Sequence, residues 1–167
     1  MEATLRVPEK ILINITANGK PLGGIPIRLS FVMAQKNHHG FIFGPSDSSG
    51  LIQVDGDEIR REARKEMEIF LMDYADIDTY WTGVLRVTPV NRESLKKALA
   101  AYRQFRHCEF PPGYEEMLLA ADAILSRTPT AKLEASVRCE PDQGFTVEAV
   151  PVQAEERTTT ASDSRPN

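Results

Sequence analysis

A chain of 167 residues with a formal net charge of −4 is long enough to bury one sizeable core, and it lacks the basic excess that nucleic acids and anionic membrane surfaces call for. Its apolar fraction of 41% and charged fraction of 26% are those of an ordinary globular domain, so a disordered or fibrous chain is not expected. No apolar run approaches the ~18 residues of a membrane span, the opening Met1-Glu-Ala-Thr-Leu-Arg-Val-Pro8 has no basic region followed by an apolar core, and two cysteines, Cys108 and Cys139, give no disulfide framework. These bounds predict a cytoplasmic protein with a single domain over residues 1–153.

Lys10 to Thr16 opens the fold as a strand in which Ile11, Ile13 and Ile15 alternate with Leu12 and Asn14. Ala17-Asn-Gly19 is a hairpin turn signal, because Asn and Gly accept positive φ. The next strand puts Ile25, Ile27, Leu29, Phe31 and Met33 on one face and Pro26, Arg28 and Ser30 on the other, which is the period of a half-buried strand. Pro26 cannot donate to a ladder and belongs at a strand start or an edge. Asn37-His-His-Gly40 reads as a polar break. Phe41 to Phe43 is a short strand stopped by Gly44-Pro45, and the Asp47-Ser-Ser-Gly50 turn leads into the strand Leu51 to Val54.

From Asp57 the period changes. Asp57 to Glu66 holds good helix formers with Ile59 and Ala63 as an apolar stripe, and Asp55 or Asp57 can cap it; one to three turns are expected. Met67 to Tyr74 then reads as a strand apolar on both faces, covered twice and therefore central. Ala75-Asp-Ile-Asp78 is a turn, and Tyr80 to Val87 is a strand ended by Thr88-Pro89. Asn91 is the N-cap of a helix striped by Leu95, Ala98, Leu99, Tyr102 and Phe105. After a link at His107 to Pro112, Pro112 or Gly113 starts a second helix striped by Met117, Leu118, Ala121, Ile124 and Leu125, stopped by Thr128-Pro129. The two form a helical hairpin over residues 91–127, expected to pack on the doubly apolar sheet near Met67 to Tyr74. Lys132 to Cys139 and Phe145 to Ala149 are two further strands, expected to pair as a C-terminal hairpin across Glu140-Pro-Asp-Gln-Gly144. Residues 154–167 carry no apolar anchor and read as a disordered tail.

Candidate chemistry is sparse. His38 and His39 are adjacent and in a strand would point to opposite faces, which does not suit joint metal ligation. Asp73, Asp76 and Asp78 offer the oxygen ligands that Ca²⁺ prefers, but the spacing lacks the Gly and the downstream Glu of an EF-hand loop, so a solvated turn is expected. His107, Cys108 and Glu109 sit in the helix link, where an activated thiol is conceivable but nothing marks an oxyanion hole. Cys139 shares the apolar face of its strand and is expected in the core. Arg60, Arg61, Arg64 and Lys65 alternate with Glu58, Glu62 and Glu66, the pattern of a solvated helix face. No cofactor or metal site is expected. The aromatic residues Trp81, Tyr102, Phe105, Phe110 and Tyr114 gather on and beside the helical hairpin. In one reading they pack the hairpin onto the sheet. In the other they form a surface for a protein partner or for self-association, since Tyr and Trp are enriched at interfaces. The link from Arg106 to Tyr114 is the most favoured part of such a surface, because Pro111 and Pro112 fix its backbone.

The strand, the turn Asn18-Gly-Lys-Pro-Leu-Gly-Gly24, the alternating strand and the turn-strand Asp47 to Val54 together resemble the transthyretin-like, or prealbumin-like, β-sandwich modules. Carboxypeptidase regulatory-like and collagen-adhesin B-type domains are among them. The matching positions are Gly19, Pro21, Leu22, Gly24, Ile25 and Ile27, then Asp47, Gly50, Ile52 and Val54, with Ser46 where Thr is common. The resemblance covers roughly residues 10–74 and implies a mainly β fold: a prealbumin-like β-sandwich of about seven strands with the helical hairpin inserted at 91–127. Its motif residues belong to turns and core and carry no chemistry. The chain departs from the pattern in the charged helical stretch Asp57 to Lys65 and in the hairpin. The transthyretin-like hydroxyisourate hydrolases carry a catalytic His near the N-terminus and a C-terminal Tyr-Arg-Gly-Ser; here the first His is His38 and the chain ends Asp-Ser-Arg-Pro-Asn. The expectation is a non-enzymatic interaction or accessory module. The alternative is a small-molecule hydrolase on the same scaffold, with His38, His39 or His107 as base.

Overall fold

The computed structural model describes residues 8–33, 38–69, 81–105, 110–140 and 146–155. The described chain is mainly β, with two sheets and three helices. In order these are β1 (Lys10–Ala17), β2 (Lys20–Pro21), β3 (Ile27–Met33), β4 (His38–Phe43), β5 (Leu51–Asp55), α1 (Gly56–Ile69), β6 (Trp81–Pro89), α2 (Arg92–Gln104), α3 (Tyr114–Ser126), β7 (Lys132–Glu140), β8 (Thr146–Ala149) and β9 (Val152–Gln153). The first sheet is built on β1. β7 lies along one flank for its whole length, while β5 and the two-residue β2 share the other flank, and β9 adds to β7. The second sheet runs β4-β3-β6-β8, antiparallel except that β8 lies parallel to β6.

The alternation in the sequence fixes which side of each sheet is dry. Ile11, Ile13 and Ile15 of β1, with Ile52 and Val54 of β5, turn inward and lose all or nearly all contact with water. Ile27 and Leu29 of β3 and Leu85 and Val87 of β6 do the same from the second sheet, and all belong to one continuous core. Cys139 is buried there too. Of the nine strands, β2 and β9 are two residues long and carry no sequence pattern of their own.

The turns close as their chemistry demands. Asn18 and Gly19 both adopt positive φ, 51° and 84°, which is the two-residue hairpin geometry that Asn-Gly favours. Asn18 Oδ1 also accepts a hydrogen bond from the Lys132 N–H at 2.9 Å, so the same turn is tied to β7. In the second turn Asp47 Oδ1 accepts from the N–H of Leu51, the N–H of Ser49 and the Ser49 hydroxyl. Gly50 sits at φ 83°, where a Cβ would lie 2.5 Å from the Ile15 carbonyl oxygen. Ser46, buried, accepts from the Ile25 N–H and donates to the Leu22 carbonyl. The turns at residues 22–25 and 46–50 therefore meet side by side.

Several expectations are corrected. The helix that starts near Asp57 runs on to Ile69, so Met67 to Ile69 are helical rather than the start of a strand; Met67 continues the spacing of Ile59 and Ala63, and local helix propensity prevails over the short apolar run. The remainder of that expected strand and the turn after it, residues 70–80, lie outside the described residues. Asp55 precedes the helix at the N-cap position, and the Glu58 carboxylate reaches back to accept the Asp55 N–H at 3.1 Å. No polar break is found at His38 to Gly40: His38 and His39 already belong to β4, opposite Val32 and Phe31, because pairing with β3 supplies their backbone partners, and Asn37 lies outside the described residues. β7 and β8 do not form a hairpin. β7 pairs with β1 in one sheet and β8 with β6 in the other, since alternation reveals a strand's faces but not its neighbour. Finally, the fold does not end at Gln153. Ala154 is fully buried, donates to the Ala131 carbonyl and accepts from the Arg92 N–H, while Glu155 pairs with Arg92. Residues 156–167 lie outside the described residues.

The helical hairpin forms where expected. The Asn91 side chain caps α2 by accepting the Ser94 N–H at 3.0 Å, and Gly113, left-handed at φ 75°, precedes α3. Its stripe packs into the main core; of the support expected at residues 67–74, residues 67–69 are helical and residues 70–74 lie outside the described residues. Leu95, Leu118, Ala121 and Leu125 are fully buried within that core, and Ile124 Cδ1 fills the space that a Cβ on Gly24 would need. Burying leucines of this kind stabilises by about 1.5–3 kcal/mol each. At the base of the hairpin Arg92 joins Asp122 at 2.9 Å and Glu155 at 3.1 Å.

Candidate functional site

The outward face of the second sheet is where side chains not consumed by the core collect. On β3 the outward positions are Arg28 and Ser30; on β6 they are Arg86 and Thr88. The register sets Ser30 beside Gly40 on one side and Arg86 on the other, and Arg28 beside Ile42 and Thr88. Gly40 has no side chain for a local reason: a Cβ there would lie 2.6 Å from Ser30 Oγ and 3.1 Å from Arg28 Nε, so the two side chains cross above it. Arg86 Nε donates to Glu148 Oε1 of β8 at 2.7 Å, extending the row to the sheet edge.

This face is not open solvent. α1 stands along one side of it and the helical hairpin along the other. Between them lies a cavity of about 1090 Å³, floored by Arg28, Ser30, Arg86 and Thr88. Glu58, Arg61 and Glu62 line it from α1, and Ser94 and Lys97 from α2. Its aromatic wall is Phe110 and Tyr114, with the exposed Pro111 and Pro112 between them in sequence. Tyr102 backs that wall. Its ring centroid is 5.0 Å from Phe110 and 5.7 Å from Tyr114, and Phe110 and Tyr114 are themselves 5.0 Å apart. Such pairs add about 0.5–1.5 kcal/mol beyond the burial of area. Burial pushes the Tyr114 phenol above its ordinary pKa, so it stays neutral and keeps its proton to donate. An Arg103–Glu115 pair at 3.1 Å braces α2 against α3 on the solvent side.

The aromatic residues singled out in the sequence therefore separate. Tyr102, Phe110 and Tyr114 come together as one cluster, each half-buried, and that cluster serves both to hold the hairpin closed and to wall the cavity. Phe105 is 44% exposed at the end of α2. Trp81 begins β6 opposite Met33, after an irregularity in the register; its side chain is outside the described residues. So are the side chains of His38 and His39, and all of His107, Cys108, Asp73, Asp76 and Asp78. Among the described residues, no three His, Cys, Asp or Glu side chains converge as metal ligands. No helix among them is long and apolar enough to cross a membrane.

Sequence reasoning missed the cavity's polar lining: Arg28, Arg61, Arg86 and Lys97. A signal existed, in that Arg28 and Ser30 were already placed opposite the buried face, and Arg86 and Thr88 alternate in the same way with Leu85 and Val87. What the pattern could not supply was the pairing of β3 with β6 or the helices that roof their outer face. Comparison with known proteins adds nothing to this geometry: no family model matches the chain, and no curated protein or solved structure matches it either.

Proposed function

We propose that this protein is a non-enzymatic interaction module on a prealbumin-like β-sandwich, and that it engages a protein partner through the cavity between the helical hairpin and the second sheet. The observation that carries the reading is the wall of Phe110 and Tyr114 facing a polar sheet surface across a space of about 1090 Å³. Two sheets sharing one core support the sandwich, as does the meeting of the two turn-strand segments that carry the resemblance. Half-buried aromatic rings on a rigid helical support, beside prolines that limit backbone freedom, are the kind of group that anchors interfaces at low ordering cost.

The test is affinity capture from the source cells with wild-type protein and with Phe110→Ala, combined with sedimentation of the purified chain. A partner retained in stoichiometric amount by the wild type and lost by Phe110→Ala is the expected result. Self-association abolished by the same substitution would identify a second copy as the partner. Recovery of no partner, together with a monomer in sedimentation, would defeat the reading.

A further inference from the structure

We infer that the cavity takes an acidic segment of its partner, held by Arg28, Arg61 and Lys97, with an apolar side chain of that segment against Phe110 and Tyr114. This rests on the interaction reading above and specifies its chemistry. The three cations come from three different elements, β3, α1 and α2, yet line one cavity, and none of them makes an ion pair among the described residues. Two carboxylates, Glu58 and Glu62, also line the cavity from α1, and Arg86 already holds Glu148, so three further cations face two carboxylates and positive charge is in excess. A site with unpaired cations on three sides is complementary to an anion, and complementarity of this kind sets which partner is accepted more than how tightly.

The cavity, about 1090 Å³, is at the upper end of the roughly 300–1,000 Å³ of small-molecule pockets and has room for a short segment of chain. A protein segment is favoured over a nucleic acid on charge. The chain as a whole carries −4, so a long polyanion is repelled at range, whereas a short acidic stretch meets mainly the local field of the cavity. Phe110 and Tyr114 wall the hairpin side, and Phe41 and Phe43 of β4 also line the cavity, so an apolar side chain of the segment meets aromatic surface there.

The experiment selects random peptides of about a dozen residues, displayed on phage, against the full immobilised chain. Selected sequences are then synthesised and measured by fluorescence anisotropy. Peptides rich in Asp and Glu around one apolar residue are expected, binding more tightly at low salt and about tenfold or more weakly to Arg28→Glu/Lys97→Glu. Circular dichroism and melting verify that the double variant is folded, and Arg61→Glu, on a different element, gives a second reading if it is not. Enrichment of neutral or basic peptides, or acidic peptides that bind the charge-reversed variants equally well, overturns the acidic partner while the interaction reading stands. An oligothymidylate of similar length that displaces the peptide at lower concentration also overturns it, in favour of a nucleic-acid site. Enrichment of no peptide above a bare-surface control defeats both.

Discussion

The turns at residues 18–24 and 46–50 and the tip of the helical hairpin are built on opposite principles. In the turns, every distinctive residue has a structural duty that can be named. Asn18 and Gly19 supply positive φ, Asp47 collects three donors through one oxygen, Ser46 bridges Ile25 and Leu22, and Gly50 leaves room for the Ile15 carbonyl. At the hairpin the stripe inside the core is as fully committed, but its other faces are not. Phe110, Tyr114 and Lys97 face a cavity, and Phe105 and Leu119 are 44% and 47% exposed. A motif whose residues are all used up by the fold identifies an architecture, and the residues left over are where binding must be sought.

Five substitutions test that contrast. The largest loss is expected for Leu118→Ala, which empties a fully buried position in the core and should cost about 2–5 kcal/mol in chemical denaturation. Phe110→Ala, half-buried at the tip, must cost clearly less; an equal loss would make Phe110 a core residue and remove the aromatic wall from the binding argument. Gly50→Ala follows, at about 1–3 kcal/mol for the left-handed backbone, with the close approach to Ile15 adding to it.

A smaller effect, and one that depends on pH, belongs to Asp47. The Leu51 N–H first, then the Ser49 hydroxyl and N–H, hold its carboxyl below the ordinary value. Its folded-state pKa is depressed, so its contribution is fully present above the unfolded value near ~3.9 and is lost as pH falls through the folded value. The stability gap between wild type and Asp47→Ala should accordingly be widest near neutrality and narrow below about pH 4. A gap that does not change with pH would place the loss in turn geometry instead of the carboxylate. The smallest effect is expected for Phe105→Ala, about 1 kcal/mol or less, because its side chain is 44% exposed at the end of α2.

Most of the scaffold was legible because it rests on period and turn chemistry. Ile11, Ile13 and Ile15, then Ile27 and Leu29, announced their buried faces by alternation, and Asn91 announced a helix start. What was not legible depended on partners distant in the chain. Nothing in Lys132 to Ala149 says that its two strands separate into different sheets, and Met67 to Ile69 is apolar enough for either a strand or a helix. Ala154 looks like part of a polar tail until Ala131 and Arg92 are seen on either side of it. The aromatic half of the candidate site could be found from composition along the hairpin. Its cationic half needed the register that puts Ser30 beside Arg86 and Arg28 beside Thr88.

The pairing of β1 with β7 sets a condition on how the chain is made. Lys10 lies opposite Glu140 and Ala17 opposite Leu133, so one whole flank of the first strand waits for residues from the far end of the chain. During synthesis β5 and β2 can cover the opposite flank early, but the β7 side stays a bare edge, with unpaired N–H and C=O groups beside the buried isoleucines. Contacts this distant in sequence make for slow closure. A chain halted before Ala131 would present that edge permanently, and the expected fate of such a fragment is pairing with its own copies rather than a smaller stable fold.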